Sequence, residues 1–143
     1  MPSLCVMLQQ FEQVLSDLSL DYVDALLVHW PAIHPGGAAV GQSSDAYCNT
    51  SARAYDATQC RLSTWKAMLA IFDSGRARAV GVSNYKETHL QEIIDAGLPL
   101  PSINQCPFNP YRGASQMKTL EFCRRHGITF MAYSPLPSPT VFL

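Results

Sequence analysis

Arg78-Ala79-Val80-Gly81-Val82-Ser83-Asn84-Tyr85 is a short apolar run that ends abruptly in a Ser-Asn pair, with helical patterns on both sides. A strand buried on both faces of a parallel sheet shows continuous small and branched apolar residues rather than an alternation. The run therefore predicts a central parallel strand with Ser83 and Asn84 at its carboxyl end. In barrels and open α/β sheets alike, that end carries the ligand, because the strand-to-helix loops converge there. The same pair would also serve as a cap for the next helix, and the neighbouring segments decide between the two roles.

Downstream, Leu90, Ile93 and Ile94 mark a helix closed by Gly97, and Pro99 and Pro101 frame the way into Ser102-Ile103-Asn104-Gln105, a strand stopped by Pro107. Met117, Leu120 and Cys123 line a further helix. It ends in Arg124, Arg125, His126 and Gly127, positive charge standing where the helix dipole favours it. Ile128-Thr129-Phe130-Met131-Ala132-Tyr133 is then a strand closed by Ser134 and Pro135.

Upstream, Leu4, Met7, Leu8, Phe11, Val14, Leu15 and Leu18 recur at helical spacing behind Pro2 and Ser3. Asp21 to Trp30 follows as a strand that Pro31 cannot continue, since proline has no N–H to donate, so His29 and Trp30 stand at its carboxyl end. Residues 32–62 are irregular and polar, a loop long enough to be either a functional excursion over the rim or a flap without consequence. Ser63 or Thr64 then caps a helix whose Trp65, Met68, Leu69 and Phe72 share one face, closed by Gly75. Regular alternation of helix and strand predicts a parallel sheet with right-handed crossovers.

Composition narrows the function classes. At 143 residues, 48% hydrophobic and 15% charged, the chain suits one domain with a buried sheet. Its net charge of −1, without a basic stripe, argues against nucleic acid and anionic membranes as partners. No leader or membrane-length apolar segment is evident, and the expected location is cytoplasmic. Five cysteines without a C-x-x-C pair argue against a zinc site and favour reduced thiols. A Cys48–Cys60 bridge and the Asn49-Thr50-Ser51 sequon would each need a secretory route.

Every predicted strand ends in polar or aromatic residues: His29 and Trp30, Ser83 and Asn84, Asn104 and Gln105, Tyr133 and Ser134. In a parallel sheet these sets share one rim. Amides and hydroxyls recognise a carboxamide, an aromatic ring stacks on a planar heterocycle, and an imidazole polarises a carbonyl oxygen; together they suit a nicotinamide ring beside a carbonyl substrate.

At these residues the chain resembles the aldo-keto reductase family, (β/α)8 TIM barrels that reduce carbonyls with NADPH. The resemblance lies in Leu26-Leu27-Val28-His29-Trp30-Pro31, Gly81-Val82-Ser83-Asn84-Tyr85, Asn104-Gln105 with Asn109-Pro110-Tyr111, and Ala132-Tyr133-Ser134-Pro135-Leu136, in the family's order. It implies a partial barrel of about four parallel strands, one domain over 1–143 with a divergent tail at 137–143, and NADP(H) as cofactor. It further implies that His29 is the histidine of a catalytic tetrad and that Trp30 lines the substrate pocket. Ser83, Asn84 and Gln105 would hold the nicotinamide carboxamide, Tyr133 would stack on the ring, and Ser134 and Leu136 would approach the pyrophosphate. No metal site is implied.

The family's tetrad Asp, Tyr and Lys lie on strands before the residue equivalent to Met1, and Pro107 stands where a glutamate is common. Asp45-Ala46-Tyr47 falls after His29 and inside the loop, so it does not replace them. The resemblance therefore implies a small carbonyl substrate but weak turnover by these 143 residues alone. The alternatives within the same fold are a non-catalytic cofactor-binding or regulatory subunit, such as the channel-associated members, and a truncated gene product. About half of a barrel would also leave its first and last strands with open edges, which invite self-association.

Overall fold

The computed structural model describes residues 4–31, 56–110 and 113–136. Helix α1 (Leu4–Leu18) leads to strand β1 (Leu26–Val28); α2 (Ala57–Asp73), β2 (Val80–Ser83), α3 (Glu87–Asp95), β3 (Ile103–Pro107), α4 (Gly113–Arg125) and β4 (Thr129–Tyr133) follow. The strands form one parallel sheet in the order β1-β2-β3-β4, each pairing with its neighbour in sequence. Sequential parallel neighbours joined by helices are the repeating unit of a (β/α) barrel, and this chain holds four of them.

Strand β2 is buried at all four positions, as its continuous apolar sequence predicts, whereas β4, at an edge, is exposed at three of five. Side chains alternate across the sheet. Val80 and Val82 enter the core with Phe11 and Leu15 of α1, Trp65, Met68 and Ile71 of α2, Leu90 and Ile93 of α3, and Phe122 and Cys123 of α4. The opposite face carries Leu27, Gly81, Ile103 and Thr129 in register, then Ser83, Gln105 and Met131. Gly81 has no room for a side chain: a Cβ there would stand 2.5 Å from Leu27 Cδ2 and 2.6 Å from the Ile103 carbonyl oxygen.

The carboxyl ends of α2, α3 and α4 follow their sequence signals, and the start signal of α1 at Pro2 and Ser3 lies outside the described residues. Gly75, Gly97 and Gly127 close α2, α3 and α4 with φ of 75°, 65° and 69°, the left-handed conformation that glycine adopts without steric cost. The start of α2 differs from expectation. Ser63 and Thr64 lie inside the helix, which begins at Ala57 with Asp56 as its cap, the Asp56 carboxylate accepting from Gln59 N–H at 3.0 Å. The irregular segment expected over 32–62 therefore ends at Asp56, and its remaining residues 32–55, with Cys48 and the sequon, lie outside the described residues, as does the tail at 137–143.

The apolar faces are narrower than their periodicity suggests. Val14 and Leu18 of α1, Phe72 of α2 and Met117 of α4 are exposed, and Ile71, Thr119 and Phe122 take the buried positions instead. Cys106 and Cys123 are free and buried, as expected of reduced thiols, but Cys60 is disulfide-bonded, against that expectation. No helix of the described residues is long and apolar enough to cross a membrane.

Candidate active site

The carboxyl ends of the four strands meet through one hydrogen-bonded chain centred on Asn84. The Asn84 side-chain amide donates to the His29 carbonyl oxygen at 2.9 Å and to Ser83 Oγ at 3.1 Å. Its Oδ1 accepts from the Tyr133 hydroxyl at 2.7 Å. Ser83 Oγ donates to the Gln105 carbonyl oxygen at 2.8 Å, and that oxygen also accepts from the Asn84 N–H at 2.9 Å. His29, Ser83, Asn84, Gln105 and Tyr133, singled out from four separate stretches of sequence, are thus one cluster in space.

Local backbone explains how the cluster forms. Ser83 is the last residue of β2, and the chain then turns through Asn84 at φ 63°, a region that asparagine tolerates better than most residues. That turn rules out a purely capping role, since α3 begins only at Glu87 and its first turn is served by His89 Nδ1, which accepts from Lys86 N–H at 3.3 Å. Gln105 pairs with Ser83 in register and Met131 pairs with Gln105, so the three side chains stand in one row. Gln105 Nε2 has only the Met131 thioether, at 2.9 Å, as a partner among the described residues. A thioether is a weak acceptor, and the Gln105 amide keeps most of its capacity for a ligand.

The remaining predicted residues lie around this cluster. Trp30 is 57% exposed and packs against the His29 ring, centroids 5.8 Å apart. Ser134, at φ 50°, has its carbonyl oxygen held by Asn109 Nδ2 at 3.2 Å, and Leu136 is 82% exposed. No group of His, Cys, Asp and Glu able to hold a metal occurs among the described residues.

Asn104 departs from its place in the row of strand-end polar residues. It is fully buried on the helix-covered face, where its amide donates to the Tyr85 carbonyl oxygen at 2.9 Å and reaches Cys123 Sγ at 3.7 Å. Alternation along a strand sends adjacent residues to opposite faces, so only Gln105 of the pair reaches the rim. Nor does β3 end there, because Cys106 and Pro107 continue the pairing as far as Ala132 and Tyr133. Burial pushes the Cys106 thiol up to about 11 and raises that of Cys123, which keeps both protonated and unreactive. Asn109, which fixes the chain after β4 through Ser134, is a contributor that sequence reasoning did not assign, although it stands in the quoted Asn109-Pro110-Tyr111 segment.

The family model for the aldo/keto reductase family matches residues 6–142. The chain belongs to the aldo/keto reductase family. Among curated relatives it is 39% identical over 127 residues to aldo-keto reductase family 4 member C11 of Arabidopsis thaliana, covering 89% of this chain and 36% of the relative. It is 34% identical over 130 residues to the D-galacturonate reductase of Hypocrea jecorina, with 89% and 40% covered. The aldo/keto reductase structure from Brucella melitensis aligns with a TM-score of 0.67 at 26% identity, over 89% of this chain and 40% of that one. The Bombyx mori aldo-keto reductase, solved in complex with NADP, aligns with a TM-score of 0.63 at 28% identity, over 86% and 34%. This aldo-keto reductase chain thus spans well under half the length of the relatives it matches, and its four strands are part of their barrel.

Proposed function

We propose that this chain contributes the nicotinamide-facing rim of an NADP(H)-dependent reductase that converts an aldehyde or ketone to an alcohol. The observation that supports it is the Asn84-centred hydrogen-bonded chain, which brings His29, Ser83, Gln105 and Tyr133 from four strands to one mouth. The polar inventory fits a carboxamide: Gln105 offers an amide partnered only by sulfur, and Asn84 Oδ1 and Ser83 Oγ keep lone pairs beyond the bonds they already make.

When bound, the reduced nicotinamide supplies hydride to the carbonyl carbon. Ser83, Asn84 and Gln105 hold the carboxamide end, and Tyr133 presents its ring as a stacking surface. His29 orients the substrate carbonyl, Trp30 forms part of the wall, and Ser134 with Leu136 approaches the pyrophosphate. Such positioning is a large share of what an enzyme supplies. Among the described residues no lysine hydrogen-bonds a tyrosine hydroxyl to prime it as the proton donor, a contribution worth about 10²- to 10⁴-fold. The 143-residue chain therefore binds better than it turns over.

A fluorescence titration with NADPH tests the reading. Saturable binding that is lost in the Ser83→Ala/Asn84→Ala/Gln105→Ala variant is the expected result, with aldehyde-dependent NADPH oxidation far below that of complete reductases. Unchanged affinity in the triple variant contradicts the site, and oxidation at a complete reductase's rate contradicts the assignment of the proton donor elsewhere. Binding without turnover, even when the chain is supplied with the rest of a barrel, would favour the cofactor-binding or regulatory subunit over the enzyme.

A further inference from the structure

We infer that a second copy of this chain docks against the two outer flanks of the sheet, β4 of each copy lying beside β1 of the other, so that two sets of four strands close one eight-stranded barrel. Nothing in this geometry depends on the nicotinamide reading.

Strand direction allows it. All four strands run the same way, and β1 and β4 are each hydrogen-bonded on one side among the described residues. Parallel pairing on β4 needs a strand running in its own direction, and β1 of a copy turned by a half rotation about the barrel axis supplies one. Four strands take half the circumference of an eight-stranded barrel. A single rotation therefore makes both junctions and closes the ring.

Exposed apolar side chains mark the same flanks. Of the large apolar residues exposed within the described helices and strands, Val14 and Leu18 lie on α1, Met117 on α4 and Met131 on β4, and Phe72 alone lies on an inner element. Helix α1 also leaves an apolar cavity of about 190 Å³ against β1 and α2, lined by Met7, Phe11, Val14, Leu26, Val28 and Met68. Within the chain α1 packs on α2, α2 on α3 and α3 on α4. The rotation makes α4 of one copy the further neighbour of α1 in the other.

Charge separates this head-to-tail docking from contact of like on like. Helix α1 carries Glu12 and Asp17 and no basic residue, whereas α4 carries Lys118, Arg124 and Arg125 against Glu121 alone. Glu12 is already paired with Arg76. Asp17 stands in the last turn of α1 and Arg124 and Arg125 in that of α4, and rotation about the barrel axis keeps them at the same end. Docking α4 on α1 sets opposite charges together, while α1 on α1 or α4 on α4 sets like charges together.

Sedimentation of the 143-residue chain without cofactor, over a range of concentrations, is expected to resolve monomer and dimer only. Monomer at every concentration, or a series running past the dimer, overturns the inference. Val14→Lys and Met117→Lys are each expected to weaken the dimer by about tenfold or more, because burial of a half-exposed side chain is lost at both junctions. Phe72→Lys is expected to leave the dimer unchanged, and equal losses in all three variants would show general stickiness and overturn the docking. The Val14→Glu/Met117→Lys variant is expected to dimerise about tenfold more tightly than Val14→Lys/Met117→Lys, since the two differ in pairing only where α1 meets α4. Equal dimer constants for these two variants overturn the head-to-tail arrangement.

Discussion

Gly81 and Asn104 show at the scale of single residues what the rim demands of the sheet beneath it. Leu27 and Ile103 close over Gly81 so tightly that a methyl group would overlap the Ile103 carbonyl oxygen. Gly81→Ala is expected to cost about 1–3 kcal/mol, the range for overpacking, read from urea unfolding. An unchanged midpoint would show that β1 and β3 give way freely. Asn104 braces the far side of the same turn by holding the Tyr85 carbonyl oxygen inside the core. Asn104→Ala leaves that oxygen with only the weak Cys106 thiol donor, at 3.9 Å, and is expected to cost about 1–3 kcal/mol; a loss below 0.5 kcal/mol, roughly the limit for an innocuous surface change, contradicts a bracing role. Ser83, Asn84 and Gln105 were legible in the sequence because polar residues that follow a buried apolar run have few places to go but the strand's mouth. The different fates of Asn104 and Gln105 were legible only in part. Period-two alternation separates their faces, but deciding which face is covered by helices needs the register with β2 and β4.

At the scale of elements, the helices are held by polar contacts that periodicity does not reveal. Arg61 of α2 donates through Nε and Nη2 to both oxygens of Glu92 in α3, at 2.7 and 2.6 Å, and Thr58 donates to the same carboxylate at 3.1 Å. Arg61 is 7% exposed, so removing Glu92 breaks a two-point ion pair at a buried cation. Glu92→Ala is expected to destabilise by about 3–5 kcal/mol, and a surface-like loss under 1 kcal/mol by thermal unfolding contradicts this. Beside the pair, burial holds the His89 imidazole below its usual range, with Arg61 and Lys86 adding to the shift and Glu92 and Glu87 opposing it. The folded state then binds fewer protons at His89 than the unfolded state, so the stabilisation is present above about pH 6.5 and is lost as pH falls below it. Glu87, held low by its own backbone N–H and by the Thr119 hydroxyl, loses its share only at more acidic pH. Stability measured by urea unfolding should fall between pH 7.5 and 5.5 and fall less in His89→Gln; parallel profiles for the two proteins refute the attribution. The start of α2 at Asp56 escaped the sequence because Ser, Thr and Asp are all competent caps and several occur in succession ahead of Trp65.

For the whole molecule, four strands of an eight-stranded architecture leave β1 and β4 each hydrogen-bonded on one side among the described residues, with Met131 of β4 39% exposed. Open edges seek partners. Sedimentation of the 143-residue chain is expected to show concentration-dependent association that Met131→Lys weakens, and a monomer at every concentration would contradict it. Fold class was legible because alternation, strand-end chemistry and the Gly caps agree with one another. The cluster at the mouth was legible as a set of residues but not as a network, since the bond from Tyr133 to Asn84 crosses an intervening strand and nothing in linear order announces it. NADPH titration followed by NMR addresses that network directly. Resonances of Trp30, Asn84, Gln105 and Tyr133 are expected to shift together with a single saturation curve; perturbations confined to one of them, or lying elsewhere on the chain, would contradict a shared site.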